Sequence, residues 1–392
     1  MKAIASIFVF IFLVLSIAGF KAYAQEILVE PCKNESKIEV PKSYEGIKEK
    51  MEAFIATGVP GFVLGVESPN GFYYGSVGYA QLENQIPMET CHLQYLQSIS
   101  KLYLAVTVLQ LAESGQIDLD MGISNYLPSK LADWVLESDK MTVRMLLNHT
   151  SGISEYNYLP NYVSILLQDP EHEFEPEDYI ELIKGKKPDF EPGSKYSYRN
   201  SGYVLLALMM DHMTGDHAAY MQEHVFDLLG LKNTFYRNDP DYLTYPNLVN
   251  GYWDRFSDGI IENSSRLQVE NVSKLVGDDG IVVTPNDAIR FLKALINGEL
   301  ISEKSLSEMK NWVNNSQGEK AYGLGLDYAM IGGEVAFGHS GGGLGAGSQL
   351  YYFPEKDLYF FMAINLATVT DSPIHKEAEA VLNEIYEILL RD

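Results

Sequence analysis

Strand patterns stand at both ends of this 392-residue chain and enclose a middle that is mainly helical in pattern. Near the start, a helix pattern at 47–56 precedes two strand patterns joined by the turn sequence 68–71. The strand patterns are 61–67 and 72–80, then 334–338, 349–353 and 358–365, and a last helix pattern covers 373–390. We therefore expect an α+β fold in which one antiparallel sheet is built from both termini and flanked by helices, with the mainly helical region 102–297 inserted.

The composition allows a substantial core and argues against nucleic-acid binding. Hydrophobic residues make up 46% of the chain, while Lys and Arg number 29 against 53 Asp and Glu, for a net charge of −24. No basic run is long enough to follow a phosphate backbone, so we expect no nucleic-acid partner. The carboxylate excess would also be repelled by an anionic membrane surface.

The first residues resemble an export signal. Lys2 precedes an apolar run at 3–20, and the small-x-small sequence Ala22-Tyr23-Ala24 follows it. We predict a signal peptide at 1–24 that is cleaved after Ala24, with an uncleaved anchor as the alternative. The mature protein would then be periplasmic or secreted, without a stable membrane anchor. An irregular lead-in at 25–44 would precede a single domain at 45–392.

The chain has two cysteines, Cys32 and Cys91. An oxidising compartment could pair them across a long loop, and two free buried thiols are the open alternative. No Cys/His spacing predicts a metal site. A metal hydrolase is disfavoured because the histidines at 212, 217 and 224 lack His-Glu-x-x-His spacing.

Ser98 begins a segment that is apolar on nearly every helical face from 102 to 112, which predicts a buried helix. Lys101 lies one turn further along the same face. An enclosed amine close to a hydroxyl can lose its proton and act as a base. The alternative is an ordinary N-cap serine with a solvated lysine. The same Ser-x-x-Lys pattern at 307–310 lies in a polar segment, so the burial of the helix distinguishes Ser98.

Two further segments have the composition of a site. Tyr198-Arg199-Asn200 follows a Pro-Gly turn and leads into an apolar helix pattern at 204–210. His339-Ser340-Gly341-Gly342-Gly343 lies between two strand patterns. Glycines there allow a ligand to approach the backbone, and a strand edge offers N–H groups to an oxyanion.

Ser98-x-x-Lys101, Tyr198-x-Asn200 and His339-Ser340-Gly341, in that order, resemble the motifs of the serine β-lactamase and penicillin-binding-protein superfamily. The similarity is closest to its class C-like branch, which holds class C β-lactamases, D-Ala-D-Ala carboxypeptidases, D-aminopeptidases and carboxylesterases. It extends over about 47–390, with supporting segments at 146–153, 226–234 and 277–281.

The resemblance implies a role for each matching residue. Ser98 would be the acylated nucleophile, and Lys101 and Tyr198 would share the work of general base and proton shuttle. Asn200 would hold the substrate amide and Lys101. The backbone N–H groups of Ser98 and Gly342 would form the oxyanion hole. The strand residues that contact the substrate would be His339, Ser340 and Gly341. No metal or organic cofactor is implied.

The resemblance leaves the substrate open between small molecules and peptides. His339 stands where typical β-lactamases carry lysine, as in carboxypeptidase-type and esterase-type members, which argues against efficient β-lactam hydrolysis. Ser340 keeps a hydroxyl able to bind a substrate carboxylate and so favours peptides of the D-Ala-D-Ala type. We expect a peptidase or esterase. The alternatives are a class C-like β-lactamase and a penicillin-binding sensor or pseudoenzyme that releases its acyl group slowly.

Two other assignments are weaker. Gly338-x-Ser340-x-Gly342 also fits the nucleophile elbow of α/β-hydrolases, with Asp371 and His375 following in order. An elbow needs a helix directly after the serine, and the sequence predicts a glycine-rich turn and a strand. His149 is expected to be a hydrogen-bonding residue at a helix end rather than a catalytic group.

Overall fold

The computed structural model of the chain describes residues 40–391, with the exception of 170, 171 and 173. The predicted signal peptide at 1–24 and most of the predicted lead-in at 25–44 lie outside the described residues. In the part that the structure describes, no helix combines the length and the apolar character needed to cross a bilayer.

The described residues form twelve α-helices, and the predicted first and last helices are among them. They are α1 (Ile47–Ala56), α2 (Ser100–Glu113), α3 (Ser129–Trp134), α4 (Val143–Leu147), α5 (Pro160–Gln168), α6 (Pro176–Glu181), α7 (Asn200–Thr214), α8 (His217–Met221), α9 (Ser265–Lys274), α10 (Pro285–Ile296), α11 (Glu303–Met309) and α12 (Pro373–Leu389). Short 3₁₀ helices cover Lys42–Tyr44, Gln97–Ile99, Ile123–Asn125, Tyr156–Tyr158 and Tyr242–Thr244, and a π-helical segment covers Gln222–Asp227.

Fourteen strands occur in the described chain. They are β1 (Gly61–Ser68), β2 (Gly71–Gln81), β3 (Ile86–Pro87), β4 (Gln94–Tyr95), β5 (Thr234–Phe235), β6 (Tyr252–Trp253), β7 (Glu262–Asn263), β8 (Val282–Val283), β9 (Val313–Asn314), β10 (Lys320–Tyr322), β11 (Asp327–Ile331), β12 (Glu334–Gly342), β13 (Gly347–Phe353) and β14 (Leu358–Ile364).

Nine of these strands form one antiparallel sheet in the order β3-β2-β1-β14-β13-β12-β11-β10-β9. Strand β1 pairs with β14, so the two ends of the described chain meet in the middle of the sheet. The predicted sheet built from both termini is confirmed. The three short strands β9 to β11 were not predicted, and β12 runs four residues beyond its predicted end, to Gly342.

Both faces of the sheet centre are buried. Since side chains alternate along a strand, neighbouring residues of one strand pack into different clusters. On β1, Phe62 and Leu64 pack with the apolar residues of α1 and α12. Val63 points to the other face, into the large cluster that contains α2, α7 and α10. Gly65 allows the close approach there, since a Cβ atom would lie 3.0 Å from Cδ1 of Ile289 in α10. The helical middle thus covers the face of the sheet opposite the terminal helices.

Helix α2 is the centre of that middle region, and the prediction of a helix buried nearly all round is confirmed. Its buried residues run without interruption from Ser100 to Leu109. It packs against α7 and α8. Because this helix is enclosed, the position of Lys101 in its first turn is fixed.

Candidate active site

Ser98 lies in the 3₁₀ turn Gln97–Ile99 that leads directly into α2. The residue before it, Gln97, is fully buried and has a left-handed backbone with φ of 53°. Such a conformation is unfavourable for a residue with a side chain and is found preferentially at functional sites. The turn leaves Ser98 half-buried beside fully buried neighbours, so its hydroxyl lies at the boundary between core and solvent.

Lys101 is fully buried, and its amine reaches the serine. Nζ lies 3.0 Å from Ser98 Oγ and donates to the backbone carbonyl of Asp278 at 2.8 Å. Burial lowers the pKa of Lys101, and the carboxyl groups of Asp278, Asp279 and Glu155 oppose that effect. An amine with a lowered pKa, in contact with a hydroxyl, can accept its proton.

Three buried carboxyl groups surround the lysine, and the sequence analysis gave none of them a role. Burial raises the pKa of Glu155 to about 7 and that of Asp279 to about 7, and neighbouring Asp278 adds to both effects. Burial also raises the pKa of Asp278, whose Oδ2 accepts a hydrogen bond of 2.8 Å from Tyr156. The sequence 277–280 did hint at these residues, because two adjacent aspartates between glycines are unusual in a buried segment. No comparable pattern marks Glu155.

Tyr198 lies on the other side of the site, in the loop before α7. Nζ of Lys101 is 5.1 Å from the centre of the Tyr198 ring. Burial raises the pKa of Tyr198 well above 10, and the nearby Ser98 hydroxyl partly opposes this. The buried Oη has no hydrogen-bond partner of normal geometry among the described residues. Tyr198 is therefore a protonated phenol, suited to passing a proton on rather than to acting as a phenolate base.

His149 holds the Tyr198 loop in place. Its carbonyl accepts from the N–H of Ser197 at 2.9 Å, and its Nδ1 accepts from the N–H of Arg199 at 3.1 Å. The His149 and Tyr198 rings lie 4.1 Å apart. Burial keeps the pKa of His149 well below 6.5, with Lys101 adding to the effect. These contacts agree with the structural role expected for His149.

Asn200 is the first residue of α7, and its backbone N–H donates to the carboxylate of Glu155. Glu155 thereby acts as the cap of a helix whose own N-cap residue, Arg199, provides no side-chain acceptor. The hydrogen bonds of Lys101 within the described chain go to Ser98 and Asp278, so the contact expected between Asn200 and Lys101 is not among them.

Residues 339–342 of β12 form a strand edge beside the serine. Strand β11 pairs with β12 only as far as Gly338, whereas β13 continues to pair up to Gly342. A Cβ atom on Gly341 would lie 2.1 Å from the carbonyl oxygen of Leu96 and 2.9 Å from Cβ of Gln97. Glycine is thus required at 341 for β12 to lie against the turn that carries Ser98. Ser340 and Gly342 are exposed next to it.

His339 is buried and uncharged. Burial, with Lys101 adding to its effect, lowers the pKa of His339 to about 3. Its Nε2 lies 2.7 Å from the hydroxyl of Tyr322, and its Nδ1 contacts the carbonyl of Ser340. The position at which β-lactamases carry lysine therefore bears no positive charge in this chain.

The weaker assignments can be compared with the same structure. Strand β12 continues through Ser340 and is followed by β13, so the helix that an α/β-hydrolase elbow needs does not follow Ser340. His375 Nε2 instead contacts the carbonyl of Ala367.

His217 lies near two aspartates, but its Nδ1 contacts Asp211 and its Nε2 contacts Tyr236. Cys91 is disulfide-bonded, and the other half of the predicted pair, Cys32, lies outside the described residues.

Comparisons with known proteins find similar sequences and structures. The family model described as Beta-lactamase matches residues 47–383. Penicillin-binding protein 4* of Bacillus subtilis (strain 168) is 27% identical over 339 residues, which covers 82% of this chain and 72% of that protein. D-aminopeptidase of Brucella anthropi is 27% identical over 72% of this chain, a match that spans about half (51%) of that protein. The crystal structure of D-amino acid amidase from Ochrobactrum anthropi SV3 with L-phenylalanine amide is 25% identical, has a TM-score of 0.76 and covers 88% of this chain and 98% of that one.

Proposed function

Because this chain belongs to the beta-lactamase family, we propose that it is a serine hydrolase that cleaves amide or ester bonds through an acyl-enzyme at Ser98. The observation that carries the proposal is the contact of 3.0 Å between Ser98 Oγ and Lys101 Nζ. A serine hydroxyl is a weak nucleophile until an adjacent base accepts its proton. Lys101 is fully buried and can be such a base.

The groups around Ser98 suggest a path for each proton. As Ser98 Oγ bonds to the substrate carbonyl carbon, its proton moves to Lys101 Nζ. The bond from that carbon to the leaving nitrogen or oxygen then breaks, and the leaving group takes a proton through the Tyr198 hydroxyl. Water then attacks the acyl carbon while Lys101 takes one of its protons; the bond from that carbon to Ser98 Oγ breaks, Oγ takes up the proton, and the acid product leaves. The backbone N–H groups of Ser98 and Gly342 would stabilise the negative oxygen that forms in each step.

The charges at the site favour substrates without a free carboxylate beside the scissile bond. Residues 339–342 carry no charged side chain, since His339 is neutral. The Ser340 hydroxyl remains as a polar group on that strand, but it provides no charge to pair with a carboxylate. The carboxyl groups of Glu155, Asp278 and Asp279 lie on the inner side of the site, near Lys101.

We therefore propose amides and esters of amino acids or short peptides as the substrate class, ahead of the D-Ala-D-Ala peptides that the Ser340 hydroxyl favoured when the sequence was considered alone. The relatives named D-aminopeptidase and D-amino acid amidase support D-configured substrates. The neutral His339 disfavours β-lactam hydrolysis. We further propose that the protein acts in the periplasm or outside the cell, on the grounds of the predicted signal peptide.

Labelling followed by mass spectrometry tests the nucleophile. Wild type and Ser98→Ala would each be incubated with a fluorophosphonate and, separately, with benzylpenicillin. We expect one covalent adduct in the wild type and none in the variant. Ser340→Ala is the matched control for the fluorophosphonate, which carries no carboxylate, because it removes a hydroxyl from the same cleft and should keep that adduct. An adduct that persists in Ser98→Ala would refute the assignment of the nucleophile.

Turnover then separates the substrate classes. The four substrates are a p-nitrophenyl ester, a D-amino acid amide, its L-enantiomer and a peptide ending in D-Ala-D-Ala. We expect multiple turnovers of the ester and the D-amide, and slower cleavage of the peptide. Faster cleavage of the peptide would contradict the charge argument. Labelling of Ser98 without turnover of any substrate would instead indicate a slow-release sensor.

A further inference from the structure

The hydrogen bonds of His339 determine where its proton lies. A carbonyl oxygen can only accept, so Nδ1, which contacts the carbonyl of Ser340, carries the proton. In a neutral imidazole the other nitrogen is then an acceptor. Nε2 accordingly accepts from the hydroxyl of Tyr322 at 2.7 Å. His339 and Tyr322 are 3% and 1% exposed, so solvent does not compete for either bond.

Tyr322 is itself held against the catalytic helix. It ends β10 and is followed by a turn with Gly323 and Gly325. A Cβ atom on Gly325 would lie 2.3 Å from Cβ of Ala105 in α2, and one on Gly323 would lie 1.8 Å from the carbonyl of Met309. The turn after Tyr322 therefore packs directly on the helix that carries Lys101. The strand end that carries Tyr322 is thus fixed against the helix that carries the proposed base.

We propose that Tyr322 is a positioning residue of this site: its hydroxyl holds His339 in the Nδ1–H form, and that form holds the Ser340 carbonyl and the free edge of β12 against the Ser98 turn. This inference rests on the proposed function for its catalytic consequence, but the hydrogen-bond state of His339 can be tested without any substrate. Without the Tyr322 hydroxyl, Nε2 has no donor, and the imidazole is free to move its proton to that nitrogen or to take up a second one.

The groups that face His339 come from several elements. They are Lys101 of α2, Tyr198 of the loop before α7, His149 of the segment after α4 and Tyr322 of β10. Lys101 opposes a positive charge on the ring. Tyr198 and Tyr322 are protonated phenols, because burial raises both pKa values well above 10. Burial and Lys101 likewise keep His149 neutral. A change in the His339 protonation state is therefore expected only when the hydrogen bond to Tyr322 is removed.

Long-range ¹H–¹⁵N correlation spectra of histidine rings test whether Tyr322 holds His339 in the Nδ1–H form, because the two neutral tautomers and the cation give different patterns. The His339 signals would be assigned from their loss in His339→Gln. We expect the Nδ1–H pattern in the wild type, unchanged between pH 5 and 8. In Tyr322→Phe we expect the Nε2–H pattern, a mixture of the two neutral tautomers, or a ring that titrates between pH 5 and 8. An Nε2–H or cationic ring in the wild type, or an unchanged pattern in Tyr322→Phe, would overturn the proposal.

Kinetics test the second part, with Tyr196→Phe as the matched control. Tyr196 lies in the same aromatic cluster, with its ring 6.2 Å from that of Tyr322, and it makes no contact with His339 in the described hydrogen bonds. Removal of one oxyanion donor costs about 10²- to 10³-fold in kcat, so the partial displacement of a donor in Tyr322→Phe should lower kcat at least about tenfold. We expect KM to change less than about threefold, and Tyr196→Phe to stay within about twofold of wild type. Equal kcat values in the two variants would overturn the role in positioning.

A pair of substitutions at position 339 keeps the test valid if Tyr322→Phe does not fold. His339→Asn places an N–H donor close to the position of Nδ1, and His339→Gln places one close to Nε2. We expect His339→Asn to retain at least about tenfold more activity than His339→Gln. The reverse order would overturn the proposal. If the wild type hydrolyses no substrate, the proposed function fails, while the spectra still decide the state of His339.

Discussion

The carboxyl group of Glu155 should make the stability of this protein depend on pH, and Glu155→Gln should remove that part of the dependence. Glu155 is 5% exposed, and it accepts the N–H of Asn200 at the start of α7. Burial, with Asp278 adding to its effect, raises its pKa from 4.5 to about 7. At 1.36 kcal/mol per pKa unit, this difference corresponds to about 3 kcal/mol between the two protonation states.

The sign follows from proton binding. The folded protein holds the Glu155 proton more tightly than the unfolded chain, so the free energy of unfolding falls as the pH rises from 4.5 through 7. About 2.5 kcal/mol of this decrease lies between pH 5 and 8. The raised pKa of Asp279 acts in the same direction. The lowered pKa of Lys101 acts in the opposite direction, because the unfolded chain binds the lysine proton more tightly.

Urea denaturation at pH 5, 6, 7 and 8 measures the effect. The difference between Glu155→Gln and wild type isolates Glu155 from Asp279 and Lys101. We expect the decrease in unfolding free energy between pH 5 and 8 to be roughly 2–3 kcal/mol smaller in the variant. Glu223→Gln removes the same charge from an exposed site and should follow the wild type. Parallel curves for wild type and Glu155→Gln would refute the reasoning.

The remaining predictions concern the proton path and the strand edge. Lys101→Ala and Tyr198→Phe should each lower the acylation rate in single-turnover kinetics by at least about a hundredfold, and an effect on KM alone would contradict the proposed roles. Gly341→Ala should abolish labelling of Ser98, because its Cβ would lie 2.1 Å from the Leu96 carbonyl. In Gly202→Ala the added Cβ meets only ordinary contacts of 3.6 Å or more, so labelling should persist there, and equal labelling of both variants would refute the packing argument.

The sequence predicted well those features that depend on local pattern. The apolar strand segment around Phe62, bounded by a turn sequence, and the all-round apolar helix after Ser98 are local, and both appear where they were expected. Strand β10 was missed because its three residues are too few to show an alternation. Its tyrosine, Tyr322, contacts His339 of another strand, and no local pattern encodes that contact.

The site was predicted as a set of residues but not as an electrostatic environment. Ser98 and Lys101 are brought together as their spacing on one helix face predicted. The effect of Glu155 on Asn200 arises from a contact between residues 45 positions apart, which no local pattern encodes. The neutral state of His339 likewise depends on burial and on Lys101, neither of which is visible in the motif itself.

The pairing of β1 with β14 also affects how the chain folds. Phe62 lies opposite Ile364, so the central strand pair closes a loop that contains most of the protein. Pairings between residues so distant in sequence form slowly, because the loop must close before any contact stabilises it. The sheet cannot be completed until β14 has left the ribosome. The nascent chain therefore remains without its central strand pair through nearly all of its synthesis.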